Sequence, residues 1–173
     1  QDLLGIIITD LGSMAERQTN NLMDPACSKD LPAFLVQSAG LDSGLMISQY
    51  TQAALVSENK ILASPASVDS IPVSGNQEDH VSFGTIAARK AREIIRNTEA
   101  VIAIQLLAVC QAYEFRKPLK PSPVFQAVYT MVRSLSPAIT EDRAFYKDIE
   151  QVVPLIRQYR VLAEAEKIIG TLL

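Results

Sequence analysis

Between Gly84 and Arg116 no proline interrupts the chain, and apolar residues recur at helical spacing throughout. At about 1.5 Å per residue this makes a rod on the order of 50 Å long, more than a small domain spans. Its centre, from Ile94 to Ala112, is apolar nearly all round, and a helix of that kind must be enclosed by other helices rather than laid on a surface. The remaining residues are expected to supply too few neighbours, which predicts self-association. The most apolar stretch, "VIAIQLLAVC" at 101–110, falls well short of the roughly 20 residues needed to cross a bilayer, so it reads as a buried helix segment and no membrane partner is expected.

The elements around the rod are also helical. Leu3, Leu4, Ile7, Ile8, Leu11, Met14, Ala15 and Leu22 recur every three or four residues, predicting an amphipathic helix from 1 to about 23 that Pro25 stops. After the proline-bearing stretch "DPACSKDLPAFLV", Asp42 and Ser43 offer N-cap oxygens to a second helix running to about Leu62. Ser122 followed by Pro123 signals a cap and first helical position, with Pro137 closing that helix. A last helix is expected after Thr140, kinked or interrupted by Pro154. The expected class is all-α, a long-helix bundle, in two segments: a central bundle segment over 1–116 and a C-terminal helical segment over 117–173.

One stretch does not fit. From Ala63 to Phe83 the text is "ASPASVDSIPVSGNQEDHVSF", with two prolines, Gly75, five serines and no sustained period. A structureless connection of that length inside a compact domain is uncommon unless it is functional.

The formal charge of -3 comes from acids and bases mixed along the chain, so no basic stripe is present to neutralise a phosphate backbone and nucleic acid is not expected as a partner. Cys27 and Cys110 lie far apart in no CxxC pattern; both read as packing thiols, and the pair fits a reducing cytosol better than a disulfide framework. The chain opens at Gln1 with no signal-peptide leader and reads as cut from something longer.

With His80 as the one histidine, a multi-histidine metal site is excluded and no metal is expected. A Ser-His-Asp arrangement would need His80, yet no GxSxG elbow occurs, and GxGxxG and Walker patterns are absent. What remains is the polar cluster Asn76, Gln77, Glu78 and Asp79, just before the long helix. Asp79 is expected to cap that helix. Glu78 has no such role, and if an oligomer folds a wall over the loop it becomes a buried carboxylate able to accept a ligand's N–H or hold a cation. Glu58, Asn59 and Lys60 end the second helix and either form a solvated last turn or buttress the loop from below.

The words "SENK", "PASVDS" and "NQEDHVS", with "LGSMAERQTNNL", "LPAFLV" and "NTEAVIAIQLLAVCQA", stand in an order and spacing that resembles the C-terminal part of the histidine ammonia-lyases, within the aromatic amino acid lyase family. The likeness covers roughly residues 10–116; the tail after Lys117 agrees only in being helical. The resemblance implies an all-helical homotetramer whose active sites are assembled from loops of three subunits. It implies elimination of ammonia from an L-amino acid through a methylidene-imidazolone cyclised from Ala-Ser-Gly. That tripeptide does not occur here, so no catalytic residue is expected in this chain and the fragment alone is expected to be inactive.

By the same resemblance Glu78 faces the imidazole of a histidine substrate, Gln77 is a neighbour shaping the pocket, and His80 either fixes the loop by a hydrogen bond or touches substrate. Asn76, Glu58, Asn59 and Lys60 stand as supporting groups. A carboxylate suits an imidazole N–H and would be a costly unpaired charge beside a phenyl ring. Two alternatives stay open: a helical interaction domain that keeps the scaffold without chemistry, and a lyase or aminomutase acting on phenylalanine or tyrosine.

Overall fold

A computed structural model of the chain describes residues 1–172. Among these residues six α-helices follow one another: α1 (Asp2–Met23), α2 (Met46–Leu62), α3 (Gly84–Glu114), α4 (Pro123–Arg133), α5 (Tyr146–Arg157) and α6 (Arg160–Ile169). Single-turn 3₁₀ segments sit at Ala33–Leu35 and Ala66–Val68.

The rod is α3, and the chain itself encloses it. α1 and α2 pack along one side and α5 along another, so Ile94, Val101, Ala103, Ile104 and Ala108 are all but sealed from solvent. The expectation of too few neighbours therefore fails for the centre of this helix, because the C-terminal helices fold back across it. Ala103, Leu107 and Cys110 of α3 share one apolar cluster with Val128 and Val132 of α4 and Val152 and Leu155 of α5. Removing a Leu or Val side chain from such a cluster costs about 2–5 kcal/mol.

α1 is amphipathic in an unexpected sense. The face turned to α2 and α3 is the small and polar one, Gly5, Thr9, Gly12, Ala15 and Thr19, whereas Leu3, Leu4, Ile7, Leu11 and Met14 are exposed. Small side chains let the helix axes approach. A Cβ added at Gly12 would lie 3.3 Å from Thr98 Oγ1, and one at Gly5 would lie 3.1 Å from Ile94 Cδ1.

Several termini behave differently from expectation. Asp42 and Ser43 do not cap α2, which has no side-chain cap; Asp142 from the far segment instead holds the turn just before the helix, accepting Ser43 N at 2.9 and 3.0 Å and Gly44 N at 2.8 Å. Asp79 does not cap α3, whose N-cap is Phe83 in the left-handed region (φ 50°). Ser122 does cap α4, its Oγ accepting Phe125 N at 3.2 Å with Pro123 at the first helical position. Pro154 lies inside α5, and the chain breaks after it, at Gln158 and Tyr159 (φ 56°). Cys110 is buried and its thiol is pushed up to about 11 by desolvation, but Cys27 is exposed rather than packed.

Candidate functional site

The connection between α2 and α3 is irregular but pinned. It leaves α2 at Ala63, makes the single turn Ala66–Val68, and is tied to the first turn of α1, where Asp2 Oδ2 accepts Ser67 N at 3.0 Å and Ser67 Oγ at 2.8 Å. The Ser67 hydroxyl and the Ala66 backbone amide hold the Asp2 carboxyl below the ordinary carboxylate value of 3.8. Lys90 of α3 donates to Ser64 O from the other side. An open apolar cleft of about 410 Å³ lies at this base, bordered by Pro65, Ile71, Phe83, Ile86 and Lys90.

Higher in the loop, the hydroxyl of Ser70 accepts Val81 N at 2.7 Å and donates to Val81 O at 3.3 Å. Val73 and Glu78 then exchange backbone hydrogen bonds, Val73 N to Glu78 O at 3.0 Å and Glu78 N to Val73 O at 3.3 Å. The turn between them places Ser74 (φ 58°), Gly75 (φ 63°) and Asn76 (φ 66°) consecutively in the left-handed region. Two of these are not glycine, so the tip holds a conformation side chains adopt reluctantly.

All of residues 71–80 are exposed in the single chain, so Asn76, Gln77, Glu78, Asp79 and His80 form one solvent-facing polar tip. Among the described residues the His80 ring has no hydrogen-bond partner; the loop is fixed by Ser70 and Ser67, which lie in the word "PASVDS" but carried no expected role, and by Asp2.

Glu58 and Asn59 go elsewhere. Asn59 is wholly buried, donating from Nδ2 to Thr98 Oγ1 at 3.2 Å and accepting Asn97 Nδ2 at 2.9 Å, while Asn97 Nδ2 also reaches Glu58 Oε2 at 2.8 Å. These groups fasten α2 to the middle of α3 and make no hydrogen bond to residues 76–80. Lys60 is exposed at the end of α2; burial would raise the Glu16 carboxyl, but hydrogen bonds from Arg17 and Gln49, with the charges of Arg17 and, least, Lys60, hold it low. A second cleft, of about 580 Å³, opens beside Ile47, Thr51, Phe145 and Ile149 near the start of α2, whereas the loop leaves the helix at its other end. Among the described residues no group of three His, Cys, Asp or Glu side chains is placed to hold a metal ion. No helix among them is long and apolar enough to cross a membrane.

The family model for aromatic amino acid lyase matches residues 1–134. A histidine ammonia-lyase from Natranaerobius thermophilus is 50% identical over 99% of this chain and 34% of its own length. Among solved structures, histidine ammonia-lyase from Trypanosoma cruzi superposes with a TM-score of 0.92 at 45% identity, covering 96% of this chain and 33% of that one. Tyrosine aminomutase from Streptomyces globisporus superposes with a TM-score of 0.93 at 37% identity, over 99% of this chain and 32% of that one. The chain thus spans about a third of the length of the curated relatives it matches.

Proposed function

The chain belongs to the aromatic amino acid lyase family, and on that premise we propose that it is the C-terminal portion of an enzyme that eliminates ammonia from L-histidine to give urocanate. The observation that carries the substrate is Glu78, a carboxylate held at the exposed tip of a pinned loop inside the stretch "NQEDHVS". Its chemistry is acceptance of an imidazole N–H, with Gln77 beside it shaping the pocket. Once water is excluded, a lone carboxylate discriminates strongly between a ring that offers an N–H and one that does not.

The loop is proposed to complete its pocket only in an assembly. Residues 71–80 find no cover within the chain, and Leu3, Ile7, Leu11 and Met14 add an exposed apolar face on α1. Both favour a homo-oligomer, a tetramer as the family resemblance implies. The two free cysteines fit a cytoplasmic enzyme.

The family resemblance also implies a methylidene-imidazolone made from Ala-Ser-Gly, and the residues present do not fit it. The tripeptide is absent, and the nearest strings, Ser38-Ala39-Gly40, Asp42-Ser43-Gly44 and Val73-Ser74-Gly75, lie in turns; in the second, Ser43 N and Gly44 N are already committed to Asp142. The group would come from a portion of the enzyme outside this chain, which by itself is proposed to be without turnover.

The tyrosine aminomutase superposes as well as the histidine enzyme, so the fold does not choose the substrate. Glu78 does. In the full-length enzyme Glu78→Gln should lower kcat/KM for L-histidine about 10- to 150-fold, the loss of one charged hydrogen bond. Unchanged turnover of histidine, or turnover of phenylalanine or tyrosine in preference to it, would overturn the reading.

A further inference from the structure

We infer that Ser70 is a positioning residue for Glu78, acting through the backbone of Val81. The inference rests on the reading of Glu78 given above. The segment 71–80 is exposed along its whole length, so its internal backbone hydrogen bonds, the pairing of Val73 with Glu78 and Gln77 N to Ser74 O at 3.2 Å, compete with water. Below that pairing the two strands of the loop are joined by the Ser70 hydroxyl, which meets both backbone groups of Val81 at once, accepting its N–H at 2.7 Å and donating to its carbonyl at 3.3 Å. A single side chain thus stands in for a missing rung of backbone pairing and shortens the free loop that the tip must close.

Around it the loop's base is already tied to α1 and α3 through Asp2, Ser67, Ser64 and Lys90. Ser70 is therefore the joint between an anchored base and a tip that carries Glu78 and whose remaining hydrogen bonds, Val73 with Glu78 and Gln77 N to Ser74 O, are all within the exposed tip itself. A displacement of about 1 Å at a recognition group can cost about a hundredfold in rate, and this joint sets where the tip lies.

Two measurements test the inference. In the 173-residue chain, Ser70→Ala should speed amide exchange at Val81 and Glu78 while leaving the global unfolding midpoint in place, and Ser70→Thr, which keeps the hydroxyl, should restore protection. In the full-length enzyme Ser70→Ala should lower kcat/KM for L-histidine by roughly ten- to a hundredfold, whereas adding it to Glu78→Gln should cost little more than Glu78→Gln alone. Should Ser70→Ala fail to accumulate, Ser70→Thr and Ser70→Val make the same comparison, being alike in shape and differing in the hydroxyl.

Losses that simply multiply, or a silent Ser70→Ala beside an impaired Glu78→Gln, overturn the role of Ser70 and leave the recognition by Glu78 standing. A silent Glu78→Gln overturns the recognition itself, and the positioning role with it, even where the exchange data show the Ser70 joint intact.

Discussion

Asn97 on α3 donates its side-chain amide to Asn59 on α2 at 2.9 Å, and Asn59 has no contact with solvent at all. Asn59 passes the chain of hydrogen bonds on to Thr98, and its backbone carbonyl lies 3.4 Å from Thr9 Oγ1 on α1. Three helices are thus joined by polar groups in a buried seam. Replacing Asn59 with Leu strands the Thr98 hydroxyl and one amide hydrogen of Asn97, at a cost of about 1–3 kcal/mol. Urea unfolding should register this as a lower midpoint at constant slope; an unmoved midpoint would mean that the seam is hydrated.

The hold that Asp142 has on the turn leading into α2 gives a second expectation. Its carboxylate accepts two backbone amides of that turn, Ser43 N and Gly44 N, from a segment 98 residues away from Gly44. Asp142→Ala should cost about 0.5–1.5 kcal/mol, the net worth of an intramolecular hydrogen bond, and Asp142→Asn less, since one acceptor oxygen remains. Faster amide exchange confined to Ser43 and Gly44 would identify these bonds as the origin. A thermal midpoint unchanged in Asp142→Ala would show that solvent replaces it freely.

Much of the helix layout is legible in the sequence because proline, serine caps and three-to-four spacing act locally. What is not legible depends on groups distant in the chain. The inward face of α1 is misread because Gly5, Thr9 and Gly12 carry no hydrophobic signal, although their smallness is what admits Thr98 and Ile94. The burial of α3 is underestimated since nothing local says that α5 folds back onto it. For the loop, length and lack of period mark it out, but five serines look alike in sequence and only the fold puts Ser70 opposite Val81.

Two glycines in the left-handed region should respond very differently to alanine. At Gly44 (φ +53°) the new Cβ would sit 2.5 Å from Phe34 O and 2.9 Å from Val36 Cβ, so backbone must move. At Gly75 (φ +63°) nothing lies within 4 Å. Gly75→Ala should cost about 1–2 kcal/mol, the left-handed penalty alone, and Gly44→Ala clearly more. Equal losses in denaturant titrations would refute the clash at Gly44.

The outward apolar face of α1 predicts association of the chain as it stands. Leu3 is 69% and Ile7 56% exposed, with Leu11 and Met14 on the same side. Sedimentation at micromolar concentration should find oligomers, and Ile7→Glu with Leu11→Glu should shift them toward monomer. A sharp monomer for the unaltered chain would remove the support this face lends to a homo-oligomer.

Acid should weaken the junction of α3 and α4 in a way that one residue reports. Burial alone would raise the Glu114 carboxyl, but hydrogen bonds from Lys117 at 2.6 Å and Tyr129 at 2.5 Å, with the charge of Arg133, outweigh it and hold the group below its ordinary value of 4.5. A carboxyl lowered on folding contributes stability that is fully present above its unfolded value and is lost as pH falls through the folded one. Glu114→Gln should therefore be less stable than the unaltered chain near neutrality. The gap should close on acidification below about pH 4.5, although Glu16, also held low, leaves both proteins some acid sensitivity. Urea midpoints measured from neutral to strongly acid pH decide the matter: converging curves are expected, and parallel curves would mean that Glu114 titrates alike in the folded and unfolded chain.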